Sequence, residues 1–384
     1  MTVSPQTAAP PVAGPSRPRL QYIDNLRILL TVMVVLHHVA VTYGHIPVWY
    51  YTEPATDPSG YLLDLLVGFN QLFFMGFFFM ISGYFVPPAF DRKGGRAFIR
   101  GRLFRLGVPL LLFAGLVRPF LDMGGYLSDW ADKVPYPIYY FLSWDPGPMW
   151  FVETLLVFCL GYLIVRRRVE SKRSPDHIAP VPAAPAKPLR PLPVIGFVFA
   201  LALVTWAWRF VVSIDTYVPV LGLPSAAYLP QYLSLFVVGT LAYRRGWFNR
   251  ISAKATWWGL AVAVLAAIMY VSGTVLSFAA NPFGWQALVS AIAECGFAIG
   301  IITFGMGLFQ RRFNRQRTFG KFLSGNAFGV YFLHPVVLVA LGYALSGWEA
   351  PAIYKWAGMA ALALPLCWLL ASLVRRVRVV RKVL

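Results

Sequence analysis

YIDNLRILLTVMVVLHHVA, residues 22–40, decides the fold. From Ile28 to Leu36 every residue but Thr31 is apolar, and the run carries on past His37 and His38. A bilayer core needs about 20 mostly apolar residues per helix, so the stretch reads as a membrane helix over about 26–43. Titratable groups inside a span are expensive and mark function by default. Arg27 and His38 are eleven positions apart, which on a helix is three turns plus about 20°. They share one face and lie roughly 16 Å apart along the axis. Asp24, three positions before Arg27, is placed to pair with it. Arg27 reads as a snorkelling interfacial arginine or as a ligand contact. His38 reads as a catalytic group or as a helix-packing hydrogen bond. His37 points elsewhere and reads as structural.

Working outward, the whole chain has the same character. Of its 384 residues 58% are hydrophobic and 13% charged, and the mean hydropathy is +0.62. That composition excludes a soluble globular domain of this length. Ten apolar runs lie at roughly 26–43, 61–86, 104–119, 148–166, 192–213, 227–243, 255–276, 286–309, 325–345 and 355–374. The first twenty residues carry no cleavable signal, so the first run is read as retained. A net charge of +19 invites a nucleic-acid reading, but the charge is segregated. All of the 34 Lys and Arg residues except Arg27, Arg118, Lys133, Arg209 and Lys355 fall on alternate sides of these runs. That is the positive-inside pattern. The expectation is an all-α polytopic transmembrane helical bundle of about ten spans with both termini cytoplasmic, in a bacterial inner membrane. Residues 1–20 read as a disordered cytoplasmic tail, 21–376 as the membrane domain with a Pro/Ala-rich cytoplasmic linker at about 167–191, and 377–384 as a basic tail. Surrounding lipid is the expected environment, and nucleic acid is not an expected partner. Cys159, Cys295 and Cys367 lie in apolar runs and suggest neither disulfide nor metal site. No metal is expected: His37 and His38 point apart on a helix and do not readily share an ion.

The remaining intramembrane titratable residues are few. Glu153, in MWFVETLLVF (149–158), lies about as far below the outer surface as His38 does. A carboxylate beside an imidazole fixes its tautomer and raises its basicity. Pairing with His38, binding of an acceptor, and a helix-packing hydrogen bond all stay open for Glu153. Arg209, in WAWRF (206–210), reads as an anion-binding group or as an interface anchor. Glu294 and His334 fall near the membrane middle, with structural or cavity-lining roles. His334 precedes Pro335, which frees a carbonyl four residues back and predicts a kink. Arg102 and Arg105, in DRKGGRAFIRGRLFRLGVP (91–109), are spaced i, i+3 and share a helical face that suits a phosphate-bearing ligand or simply sets topology.

Together these pieces resemble the acyltransferase family 3 membrane proteins, in the glucans biosynthesis protein C-like branch. The resemblance runs from about Tyr22 to the last span. It rests on Arg27 and His38 with ten residues between them, on FFFMISGYF (77–85), on the Arg102/Arg105 pair, on Trp150–Phe151 opening a span, on LPQYLSLFVVGTLAYRRGWF (229–248) and on GNAFGVYFLHP (325–335). It implies an O-acyltransferase that moves an acetyl or succinyl group from acyl-CoA, as co-substrate, to a hydroxyl of an extracytoplasmic glycan or glycolipid. His38 is then the general base, and Arg27, Ser82, Arg102 and Arg105 are donor contacts. Glu153 stands three residues after Trp150, where many members place a glutamate five after. Arg209 and His334 are the acceptor-side candidates. Two rivals use the same residues: a transporter or flippase for a lipid-linked or anionic solute, and an acyl-CoA sensor without turnover. Neither an inverted repeat nor a Ser or Cys nucleophile stands out.

Overall fold

The computed structural model describes residues 20–46, 48–171, 191–214, 216, 218, 226–277 and 281–384. The expected tail 1–20 and most of the expected linker lie outside these residues. In chain order the helices are α1 (Gln21–Tyr43), α2 (Gly60–Tyr84), α3 (Val86–Leu121), α4 (Met123–Asp129), α5 (Tyr136–Leu142), α6 (Trp150–Ser171), α7 (Pro191–Trp208), α8 (Leu229–Arg245), α9 (Ala253–Val275), α10 (Trp285–Arg312), α11 (Thr318–Leu345), α12 (Ala352–Val374) and α13 (Val380–Val383). Nine helices among the described residues are long and apolar enough to cross a membrane. The run expected at 227–243 is α8, which has 17 residues preceded by a 3₁₀ turn, Ala226–Tyr228. Helices are what lipid permits, since each satisfies its own backbone polar groups.

The helix ends meet as the alternation of charge requires. At one end Tyr22 donates its hydroxyl to the Phe248 carbonyl at 2.7 Å, Asn25 donates to the Phe313 carbonyl at 2.6 Å, and Arg244 pairs with Asp91 at 2.6 Å. At the other, Asp57 accepts from the Ala352 amide at 2.8 Å and Lys355 pairs with Glu53 at 2.5 Å. The basic segments thus share one end of the bundle.

Local chemistry explains the boundaries. Gly246, at φ +67°, takes the left-handed conformation that closes α8. Ser252 caps α9, its side chain accepting from the Ala255 amide at 3.1 Å. The basic stretch 91–102, between the apolar runs 61–86 and 104–119, is largely helical, broken at Gly94, whose φ of +73° suits glycine. Two π-helical turns, Leu103–Gly107 and Phe113–Val117, then widen α3. The linker begins later than expected because α6 runs to Ser171, with Arg166 and Glu170 paired at 2.7 Å one turn apart.

At the centre α1 packs on α2, α10, α11 and α12. Small residues bring other helices together. A Cβ on Gly300 would lie 2.7 Å from the Gly259 carbonyl oxygen, and one on Gly259 would lie 2.8 Å from that of Gly300, so α9 and α10 touch backbone to backbone. Large apolar side chains such as Leu203, Val204, Leu265 and Ile268 remain exposed on the outer helices, where lipid covers them.

Candidate active site

His38 lies in the last third of α1. Its Nδ1 is 2.9 Å from the Val34 carbonyl oxygen, one turn back. A carbonyl only accepts, so Nδ1 carries the proton and Nε2 of the neutral ring is left with a lone pair. The ring is half-buried, while Val34, Val35 and Val39 around it are buried.

The second imidazole is His334 on α11. Pro335 has no N–H and would leave the Tyr331 carbonyl without its helical partner. His334 Nδ1 occupies that place, 2.7 Å from the Tyr331 oxygen. Its tautomer is fixed by the same logic, and Nε2 is again the acceptor. His334 is fully buried, and its Nε2 has no hydrogen-bond partner among the described residues. The two ring centroids are 4.9 Å apart. Trp49, in the connection between α1 and α2, lays its indole 4.1 Å from the His38 ring and stacks at 6.0 Å and 18° on His334. Its Nε1 is buried without a partner among the described residues. His37 meets the His38 ring edge-on at 5.3 Å and packs on Phe74 of α2, with 5.0 Å between centroids.

The other sequence candidates fall in different places. Glu153 does not join His38, and no hydrogen bond or ion pair links the two among the described residues. α6 packs on α2 and α3, and α2 is the helix that it shares with α1. One Glu153 carboxylate oxygen is buried and unpartnered. Arg209, read as an anion site or an anchor, spends both terminal nitrogens on Glu294 of α10, at 3.0 and 2.6 Å. That fork ties α7 to the bundle.

Arg27, Ser82, Arg102 and Arg105 belong to the basic end. Arg27 lies 3.6 Å from Asp24, the pairing that its spacing predicts. Ser82, one turn from the end of α2, is half-buried. Arg102 and Arg105 do not form the matched pair that an α-helix would give. Arg105 lies in the first π turn and is exposed, while Arg102 is half-buried with its guanidinium 5.4 Å from the Phe98 ring centre. The wider turn changes the angle between the two positions. The tail helix α13 packs against this same turn and brings Arg381 and Lys382 towards it.

Sequence reasoning passed over two features. Trp49 sits outside every apolar run, and its only signal was the aromatic cluster Trp49–Tyr50–Tyr51. Arg118, one of the five basic residues outside the alternating pattern, is fully buried. It pairs with Asp122 at 2.8 Å and lies 4.7 Å from the Tyr140 ring centre. Burial pushes the Asp122 carboxyl up to about 6 against the pull of Arg118, and Asp145 adds to the rise. No cluster of three or more His, Cys, Asp or Glu side chains placed to hold a metal occurs among the described residues.

The family model described as an acyltransferase domain matches residues 20–372. The chain belongs to acyltransferase family 3. Among its relatives are proteins named glucans biosynthesis protein C. That of Shigella dysenteriae serotype 1 (strain Sd197) is 27% identical over 159 residues, 40% of each chain. That of Salmonella schwarzengrund (strain CVM19633) is 28% identical over 146 residues, 36% of this chain and 37% of the relative. The aligned stretch thus spans about two-fifths of the curated relatives' length. No solved structure matches the chain. This acyltransferase family 3 member is a multi-pass membrane protein.

Proposed function

We propose that the protein is an O-acyltransferase of the bacterial inner membrane that moves an acetyl or succinyl group from cytoplasmic acyl-CoA to a hydroxyl of a glycan or glycolipid on the opposite side. Family membership supports acyl transfer, and the relatives named glucans biosynthesis protein C support a glycan acceptor. The observation that carries the mechanism is the Val34 carbonyl on His38 Nδ1, which leaves Nε2 free to take a proton. A neutral imidazole is the usual general base near pH 7.

Both termini are cytoplasmic in this reading, as the segregated basic segments suggest. The donor's phosphates meet the basic end, where Arg27, Arg102 and Arg105 lie and where α13 adds Arg381 and Lys382. Ser82 lines the way in. The thioester arm then spans the roughly 16 Å that separates Arg27 from His38 along α1. His38 Nε2 receives the proton of the acceptor hydroxyl as its oxygen bonds to the thioester carbonyl carbon. The C–S bond breaks, and the proton leaves with the thiol. Because donor and acceptor enter from opposite ends, the acyl group alone crosses.

The test uses the full chain in nanodiscs with radiolabelled acetyl- or succinyl-CoA and an envelope glycan extract. Label should appear in the glycan with wild type and fall by at least about 10²-fold with His38→Ala, the size of a general-base contribution. Label that persists in the variant removes His38 as the base. CoA binding with no transfer from any donor points to a sensor, and neither binding nor transfer points to a transporter.

A further inference from the structure

Acyl transfer through His38 leaves two buried groups beside it unexplained. His334 Nε2 is an acceptor, because the Tyr331 carbonyl holds the proton on Nδ1. Trp49 Nε1 is a donor and nothing else. Neither has a hydrogen-bond partner among the described residues, and both belong to rings stacked 6.0 Å apart. Burying an acceptor and a donor unpaired is costly. One hydroxyl group answers both, giving its proton to Nε2 and accepting from the indole N–H. A carboxylate or phosphate would face the His334 lone pair with another lone pair, and an ammonium would leave the indole N–H unmet. The indole packs directly on the His38 ring, 4.1 Å between centroids, so a group held by Trp49 and His334 lies next to the reacting imidazole.

We infer that Trp49 and His334 form a subsite for a second hydroxyl of the acceptor, next to the hydroxyl that His38 deprotonates. The ligand class is a carbohydrate with hydroxyls on neighbouring carbons rather than a simple alcohol. With 4.9 Å between the two imidazole centroids, each Nε2 takes one hydroxyl of such a pair. His334 is then a specificity-determining residue and His38 the catalytic one. This assignment rests on the acyl-transfer reading for the chemistry at His38, but the subsite itself is a binding property. A trapped water would make the same two hydrogen bonds, so the experiment must separate water from sugar.

The probe is methyl β-glucoside, with each of its monodeoxy analogues, offered with radiolabelled acetyl- or succinyl-CoA to the full chain in nanodiscs. Wild type should lose about 10–100-fold in kcat/KM for the analogue that lacks the hydroxyl adjacent to the acylated one, the cost of leaving a buried polar group unpaired. The ratio of glucoside to that analogue should collapse towards one in His334→Phe and in Trp49→Phe. His334→Gln, which keeps an acceptor, should retain part of it. Trp49 lies in a connection, so its variant keeps the fold readable if His334→Phe fails to fold. A second measurement needs no turnover: the ¹⁵N resonance of His334 Nε2, assigned by its loss in the variant, should shift with methyl β-glucoside and not with cyclohexanol. A shift without any label transfer keeps the subsite and removes the acyl-transfer reading. An equal deoxy penalty in wild type and both variants overturns the subsite. So does a resonance that ignores the glucoside, which would mean that water alone fills the gap.

Discussion

Replacing Glu294 by leucine removes the carboxylate and leaves the Arg209 guanidinium at 7% side-chain exposure with no counter-charge. Arginine cannot discharge itself in a protein, so the full penalty of an unpaired buried charge applies, about 3–5 kcal/mol. At 1.4 kcal/mol per decade that is a loss of about two to three and a half decades in the folded-to-unfolded ratio. The Tyr228 ring, 5.3 Å from the guanidinium carbon, offsets little of this. Arg209→Met is the milder change, since the orphaned carboxylate can take up a proton and become neutral. Replacing both residues should cost less than Glu294→Leu alone, because no charge is then left buried. The assay is equilibrium unfolding in mixed micelles for wild type, both single variants and the double variant. If both single variants fall within about 0.5 kcal/mol of wild type, the fork does not hold α7 in place. If stability is unchanged but the KM for acceptor rises, Arg209 is an anion-binding residue as its sequence context suggests.

The raised Asp122 carboxyl gives a pH dependence. Its folded pKa of about 6 lies above the ordinary 3.8, so the folded state holds the proton more tightly. The stabilisation is complete below about 3.8 and is lost as pH rises through 6. Asp122→Asn cannot titrate, so its stability relative to wild type should rise by about 1–2 kcal/mol between pH 5 and pH 7, whatever the offset from the lost pair with Arg118, in thermal melts across that range; parallel curves would refute it. Gly300→Val should cost about 1–3 kcal/mol in the same unfolding assay. Its Cβ would lie 2.7 Å from the Gly259 oxygen and 2.8 Å from the Ala263 nitrogen, backbone atoms that cannot turn aside. An unchanged midpoint would mean that α9 and α10 separate freely.

Hydropathy and charge made the bundle legible, because lipid imposes both patterns on every span. Nine of the ten runs became helices long enough to cross. The tenth, α8, falls short because the residues before it wind as a 3₁₀ turn. Within one helix the reading also held: Arg27 and Asp24 pair as their spacing requires. Between helices it did not. His38 and His334 are 296 positions apart in the chain, and no periodicity in either helix says that they meet. Glu153 forms no hydrogen bond or ion pair with His38 among the described residues, because spacing along one helix does not say which neighbour a side chain faces. Arg102 and Arg105 diverged because a π turn replaced the α geometry that their spacing assumed. Trp49 escaped notice since connections carry no periodic signal at all.

The Tyr331 carbonyl takes its hydrogen bond from a side chain because Pro335 withholds one from the backbone. Any other residue at 335 restores an amide that competes for the same oxygen, and His334 loses the contact that sets which nitrogen carries its proton. Positions 334 and 335 are therefore energetically coupled. A proline lost by drift would change the imidazole next door without touching its codon, and a histidine lost first would leave the proline as a bare defect in the helix. Unfolding measurements on this protein should find these two sites epistatic, a double replacement costing less stability than the two single ones summed.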